Sequence, residues 1–192
     1  MILSVGAVVR VGLLLFLAVV LQLSSLAQIS ILGGHADLVP LVVGAVAFYG
    51  GSVAGSATGF AAGVLLDLAV GSTLGASSLV LTAVGYAVGR FREVRDPSHG
   101  LLPIPVGAAA TAGWVTAFAA VSFMLDVGAN VSPLVFRDML VTILLNTLLA
   151  LPIFTGCRWI LRPCLVVDPV EVRRRRRPPR ESGPIGLRGL EV

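Results

Sequence analysis

The stretch GSVAGSATGFAAGVLLD, residues 51–67, decides the fold. Gly51, Gly55, Gly59 and Gly63 recur at strict four-residue spacing, and the next step of the ladder is an acid, Asp67. Gly71 and Gly75 continue it. Positions four apart share one face of a helix. Glycine on that face leaves a bare groove, so a second helix can approach to backbone contact, as small-xxx-small faces do in membranes. In water each such glycine penalises a helix by about 1 kcal/mol relative to Ala. The segment therefore predicts a packed bilayer helix carrying one ionisable side chain.

The totals agree. The 192 residues are 56% hydrophobic and 12% charged, with mean hydropathy +0.96. A soluble domain carries about 25% charge. The fold class expected is an all-α integral membrane protein, with one domain over residues 1–165. All 14 basic residues are arginine, and the excess charge of +4 gathers in the C-terminal tail. Cys157 and Cys164 are too few for a disulfide framework or a zinc site and read as small hydrophobes.

A span needs roughly 20 apolar residues, fewer in a tight bundle. Six runs qualify, at about 8–27, 38–49, 52–70, 76–89, 103–125 and 134–161, with Pro152 expected to bend the last. Residues 36–70 read either as one very long helix or as a hairpin turning at Gly50-Gly51. Arginine favours the cytoplasmic side of short loops. With six spans, Arg10, the loop bearing Arg90, Arg92 and Arg95, and Arg158 with Arg162 all face the cytoplasm. Five spans would scatter them, so the hairpin is chosen, with both arms short and both termini cytoplasmic. The first run also fits a signal peptide, through Arg10 and Ser25-Leu26-Ala27. Its length favours retention as a span.

Residues 166–192 are rich in Pro, Arg, Glu and Gly and predict a disordered tail. Its run Arg173, Arg174, Arg175, Arg176 and Arg177 would rest on anionic headgroups at about 1 kcal/mol per residue. No nucleic-acid partner is expected.

Asp67 is the sharpest single residue, since an acid at the centre of a span costs about 2.5 to 3.5 kcal/mol on insertion scales. Two readings stand. Its carboxylate accepts backbone amides of the Gly71-Ser72-Thr73 turn or of the next helix, or it receives a partner or substrate. Asp126, Arg137 and Asp138 form an outer-face polar cluster, in which Arg137 pairs with Asp126 or with Asp67. Asn146, mid-span, predicts a helix-helix hydrogen bond. Gly85 and Gly89 make a second small-residue face, and Trp114 and Trp159 read as bulk or interface anchors. Gly75-Ala76-Ser77-Ser78 faintly suggests a serine nucleophile. That chemistry needs a histidine base in reach, and His35 and His99 lie outside the expected spans. No catalytic constellation, metal cluster or cofactor motif is read.

The segments Gly59-Phe60-Ala61-Ala62-Gly63-Val64-Leu65-Leu66-Asp67-Leu68, Gly71-Ser72-Thr73-Leu74-Gly75 and Val84-Gly85-Tyr86-Ala87-Val88-Gly89-Arg90 resemble the bacterial rod shape-determining protein MreD family. Arg10 with Leu21-Gln22, and Asp37-Leu38 ahead of the second run, share the likeness, which covers roughly residues 8–165. The resemblance implies a non-enzymatic scaffold of the cell-elongation machinery in the bacterial inner membrane. It implies a periplasm-facing MreC-like partner, MreB-type filaments and wall-synthesis enzymes, and coupling to lateral peptidoglycan synthesis. It also implies a six-helix transmembrane bundle similar to the substrate-binding subunits of energy-coupling-factor vitamin transporters. Gly51, Gly55, Gly59, Gly63, Asp67, Gly85 and Gly89 would then serve helix packing or partner binding. Arg90, Arg92, Arg95 and Arg173 to Arg177 would meet lipid or filament. The alternative is a small-molecule, vitamin-type binding subunit of such a transporter, for which Asp67, Asn146 and Gln22 are a thin polar set. The Arg-rich tail departs from the family pattern.

Overall fold

The computed structural model describes residues 5–26, 34–71, 74–94, 102–125 and 133–162. The helices are α1 (Val5–Leu21, continued by a π-helical turn Gln22–Leu26), α2 (Leu38–Gly50), α3 (Ser52–Val70), α4 (Ala76–Val94), α5 (Pro103–Met124) and α6 (Pro133–Leu161). They alternate in direction. One end of the bundle gathers Gln22, Asp37, Leu66, Ser77, Phe118 and Asp138 around a cavity. The other holds Tyr49 with Arg92 and Arg158 nearby. Among the described residues there is no sheet.

The sequence of α2 is apolar all round, which marks a helix enclosed on every side. Its residues Val39 to Phe48 are all buried. Around it the other helices turn their large side chains outward. Leu13 and Phe16 on α1, Phe60 on α3, Leu79 on α4, and Leu140, Leu144 and Leu148 on α6 are all more than half exposed. The buried polar residues include Thr58, Asp67, Ser77, Thr111 and Asn146. Apolar outside and polar within is the arrangement of a protein dissolved in lipid. Among the described residues four helices are long and apolar enough to cross a membrane, over Val5–Ser24, Ser52–Val70, Pro103–Met124 and Val135–Leu161.

The remaining two helices depart from that measure for different reasons. α2 has 13 residues, about 20 Å at 1.5 Å per residue, against a hydrocarbon core of about 30 Å. α4 has 19 residues but ends in Arg90, Phe91, Arg92, Glu93 and Val94. Here the structure corrects the sequence reading, which stopped this helix at Gly89 and put Arg90 and Arg92 in a loop. The helix continues because its last turn has partners. Arg92 Nη1 donates to the Tyr49 carbonyl at 2.6 Å, which also supplies the orphan C-terminus of α2. Nor are both arms of the α2–α3 hairpin short, since α3 runs for 19 residues.

The chain reverses between α2 and α3 at Gly51, whose φ of 88° is open to glycine and strained for other residues. Its N–H closes α2 on the Ala47 carbonyl at 2.9 Å, and its own carbonyl accepts the Gly55 N–H at 2.9 Å. Gly71, at φ 70°, ends α3 in the left-handed conformation, its N–H on the Asp67 carbonyl. α6 passes through Pro152 as one helix. Cys157 is a buried free thiol. Asp126, Arg95, His99, Cys164 and the tail with Arg173 to Arg177 lie outside the described residues.

Candidate functional site

Two places in this bundle concentrate chemistry. The first is the seam between α3 and α4. A Cβ added to Gly55 would overlap the Gly85 carbonyl oxygen and stand 2.9 Å from its carbon. On Gly59 it would overlap the Leu81 carbonyl oxygen and lie 2.6 Å from that carbon. On Gly63 it would fall on Ser78 backbone. Seen from α4, Gly85 abuts the Gly55 carbonyl, and a Cβ on Gly89 would stand 2.5 Å from the Gly51 carbonyl carbon. The ladder and the shorter small-residue face are therefore two sides of one internal contact, with backbone against backbone from Gly51 to Gly63.

A carboxylate closes each end of this seam. Asp67, in the last turn of α3 and 1% exposed, accepts the Gly75 N–H at 2.8 Å and the Ser77 N–H at 3.3 Å. Those amides open α4. Glu93, in the last turn of α4, accepts the Ser52 N–H at 2.8 Å and the Ser52 hydroxyl at 2.7 Å. Those groups open α3. Each acid stands near the negative end of its own helix dipole but against the positive end of its neighbour's, where anions are stabilised. Of the two readings of Asp67, the amides of the next helix receive it. The Glu93 cap was not read from the sequence.

The second place is the end of the bundle around Asp37. Asp37 sits one residue before α2, the position where an acid usually caps a helix with its side chain. It makes no such bond. Gln22 does that work instead, its Oε1 accepting the Val39 N–H at 2.9 Å while its Nε2 donates to Asp37 Oδ1 at 3.2 Å. The Trp114 indole N–H donates to Asp37 Oδ2 at 3.2 Å. Asn146, fully buried on α6, grips the backbone of Asp37 from both sides. Its Oδ1 accepts the Asp37 N–H at 3.0 Å and its Nδ2 donates to the Asp37 carbonyl at 2.9 Å. The same amide donates to Thr111 Oγ1 on α5 at 3.2 Å, which is the helix-helix bond expected of it. Burial raises the Asp37 carboxyl above the usual carboxylate range, partly offset by the Trp114 bond and the nearby His35.

Trp114 is thus no interface anchor. It is buried and committed to Asp37, whereas Trp159 is 73% exposed. Nor was the joining of Gln22, Asp37, Trp114 and Asn146 read from the sequence. The other three lie 15 to 109 residues from Asp37, and the one local signal was polar side chains inside apolar runs. Beside Gln22, Asp37 and Trp114 lies a partly open cavity of about 590 Å³ that also reaches Leu66 and Val70 on α3 and Asp138 on α6. Arg137 and Asp138 begin α6 half in solvent, with Arg137 Nε 3.9 Å from Asp138 Oδ1. Arg90, mostly exposed, pairs with Glu93 at 3.2 Å.

No curated protein and no solved structure matches this chain. The family model for the rod shape-determining protein MreD matches residues 4–160. A buried glycine seam, an apolar exterior and helix-stapling acids suit a protein whose work is binding, and the chain belongs to the MreD family, non-enzymatic membrane proteins of the shape machinery.

Proposed function

We propose that this protein is an inner-membrane scaffold of the cell-elongation machinery. In this reading it joins an MreC-like partner outside the membrane to MreB-type filaments inside, and so to wall-synthesis enzymes of the lateral peptidoglycan. The family match over residues 4–160 carries the proposal. The bundle would cross the bilayer six times with both termini in the cytoplasm, in a fold similar to transporter substrate-binding subunits. Support comes from charge, since Arg90, Arg92, Arg158 and Arg162 belong to one end and arginine favours the cytoplasmic side. The glycine face, filled by α4, has no room for a partner helix. Contact with partners therefore falls to the two ends. Asp126, Arg137 and Asp138 would face the outer partner, and Arg90, Arg92, Arg95 and the tail arginines would meet anionic lipid or filament.

The test is affinity purification of the tagged protein from its own membranes in mild detergent, with mass spectrometry of what accompanies it. Recovery of an MreC-like single-span protein and wall-synthesis enzymes is expected. Recovery of transporter ATPase subunits in place of that partner would overturn the scaffold reading in favour of a vitamin-type transporter subunit.

A further inference from the structure

We propose that the cavity at the Asp37 end of the bundle binds a small organic cation, an amine carried on an apolar body. The inference concerns a ligand and stands apart from the scaffold role.

The volume, about 590 Å³, falls within the roughly 300 to 1,000 Å³ of small-molecule sites. Its walls are apolar, with Leu66 and Val70 from α3 and the stacked pair Trp114 and Phe118 from α5, ring centres 4.8 Å apart. Two carboxylates border it, Asp37 and Asp138, and among the described residues the one basic side chain that does is His35, with no lysine or arginine. An aromatic wall beside carboxylates attracts a cation through both the ring quadrupole and the charge.

Asp37 supplies the stronger argument. A residue placed to cap α2 leaves that task to Gln22 and turns its carboxylate elsewhere. Side chains from three other elements then fix it, with Gln22 from α1 and Trp114 from α5 on its two oxygens and Asn146 from α6 on its backbone. Each oxygen has a second lone pair to offer. So rigid a mounting for an acid on a cavity wall is what recognition of a cation requires, because binding then loses little freedom. The desolvation that raises its pKa is what a bound cation would offset. Asp67 offers no equivalent, since it is 1% exposed and does not line the cavity.

The chain has two tryptophans, and Trp159 is exposed on α6 away from the cavity. Trp159→Phe therefore leaves Trp114 as the sole indole and a reporter within the site. The full chain in detergent is titrated with phenethylamine and, separately, with 2-phenylethanol, its uncharged counterpart. A saturable change in Trp114 emission is expected with the amine, and at least tenfold weaker binding of the alcohol. Asp138→Asn, at a half-exposed position outside the Asp37 network, is expected to weaken the amine about fivefold with elution volume and circular dichroism unchanged. Asp37→Asn is expected to abolish binding if it folds, and Asp138→Asn decides the matter if it does not. No response to the amine, equal responses to the two compounds, or an Asp138→Asn affinity equal to the parent's would each overturn the proposal.

Discussion

Replacing Gly59 by alanine adds one methyl group, and the structure says where it goes. The new Cβ would overlap the Leu81 carbonyl oxygen and stand 2.6 Å from its carbon and 2.9 Å from the Thr82 nitrogen. All three are backbone atoms held in a helix, so no side chain can rotate aside. Ordinary contact begins at 3.4 Å, and because the carbonyl oxygen is nearer than its carbon, α3 and α4 must part by roughly 1 Å at that level. Gly55 and Gly63 fix the same close spacing one turn to either side, so the opening spreads along the seam. Overpacking of this kind costs about 1 to 3 kcal/mol, while alanine returns up to about 1 kcal/mol of helix propensity. The net expectation is a loss of about 1 to 2 kcal/mol for Gly59→Ala, and failure to fold for Gly59→Leu. Gly12→Ala is the control. A Cβ there meets nothing within 4 Å, so the same chemical change should be neutral or stabilise by up to about 1 kcal/mol. Both variants would be unfolded from lipid bicelles, with partner recovery scored in parallel. If Gly59→Ala proved as stable as Gly12→Ala, the seam would not be closed by α4 as described. Loss of a partner with unchanged stability would show instead that the glycine face is intermolecular.

Other outcomes follow from the same geometry. Asp67→Ala strands the Gly75 and Ser77 amides and should lower stability by about 1 to 3 kcal/mol, with Asp67→Asn recovering part of it as asparagine is also a good cap; faster hydrogen exchange at those two amides localises the effect. Asn146→Leu removes the bonds that hold Asp37 and Thr111 and should cost about 2 kcal/mol, read as a lower melting temperature and as a shift in Trp114 fluorescence. Gly51→Ala forces a side chain onto φ 88° and should cost about 1 to 2 kcal/mol, whereas Gly156→Ala, with nothing near its Cβ, should be neutral or raise the melting temperature slightly.

The seam was legible because its signal is local. Four glycines at one spacing leave little but a helix face stripped for close approach. The partner face of Gly85 and Gly89 shows the same spacing, and the short turn between the two helices makes them antiparallel neighbours. Glu93 could have been found by carrying that reasoning one step on. In an antiparallel pair, the last turn of each helix lies beside the first turn of the other, and both last turns hold an acid. What hid Glu93 was its company, because Arg90, Arg92 and Arg95 made the segment read as a charged loop. Asp37, Gln22 and Trp114 were hidden for a different reason. No spacing in the chain says which helix ends converge, and an indole in an apolar run looks like bulk until its N–H is seen on a carboxylate.

The shortness of α2 ties the two ends together. At about 20 Å it would leave its terminal amides and carbonyls in hydrocarbon if it stood alone, each costing several kcal/mol unsatisfied. Here its Val39 amide is met by Gln22, the Asp37 amide just before it by Asn146, and its last carbonyls by Arg92 and by the Gly51 turn. Those partners come from α1, α6 and α4, so α2 is completed only when helices before and after it in the chain have assembled. A truncation after residue 71 keeps Gln22 and loses Asn146 and Arg92. It should therefore leave the α2–α3 hairpin poorly inserted, scored by glycosylation tags at residue 35, while the same tag in the full chain reports one fixed side. Equal insertion of the two would mean that α2 is stable as a span in its own right, and that the polar ends serve something other than its shortness.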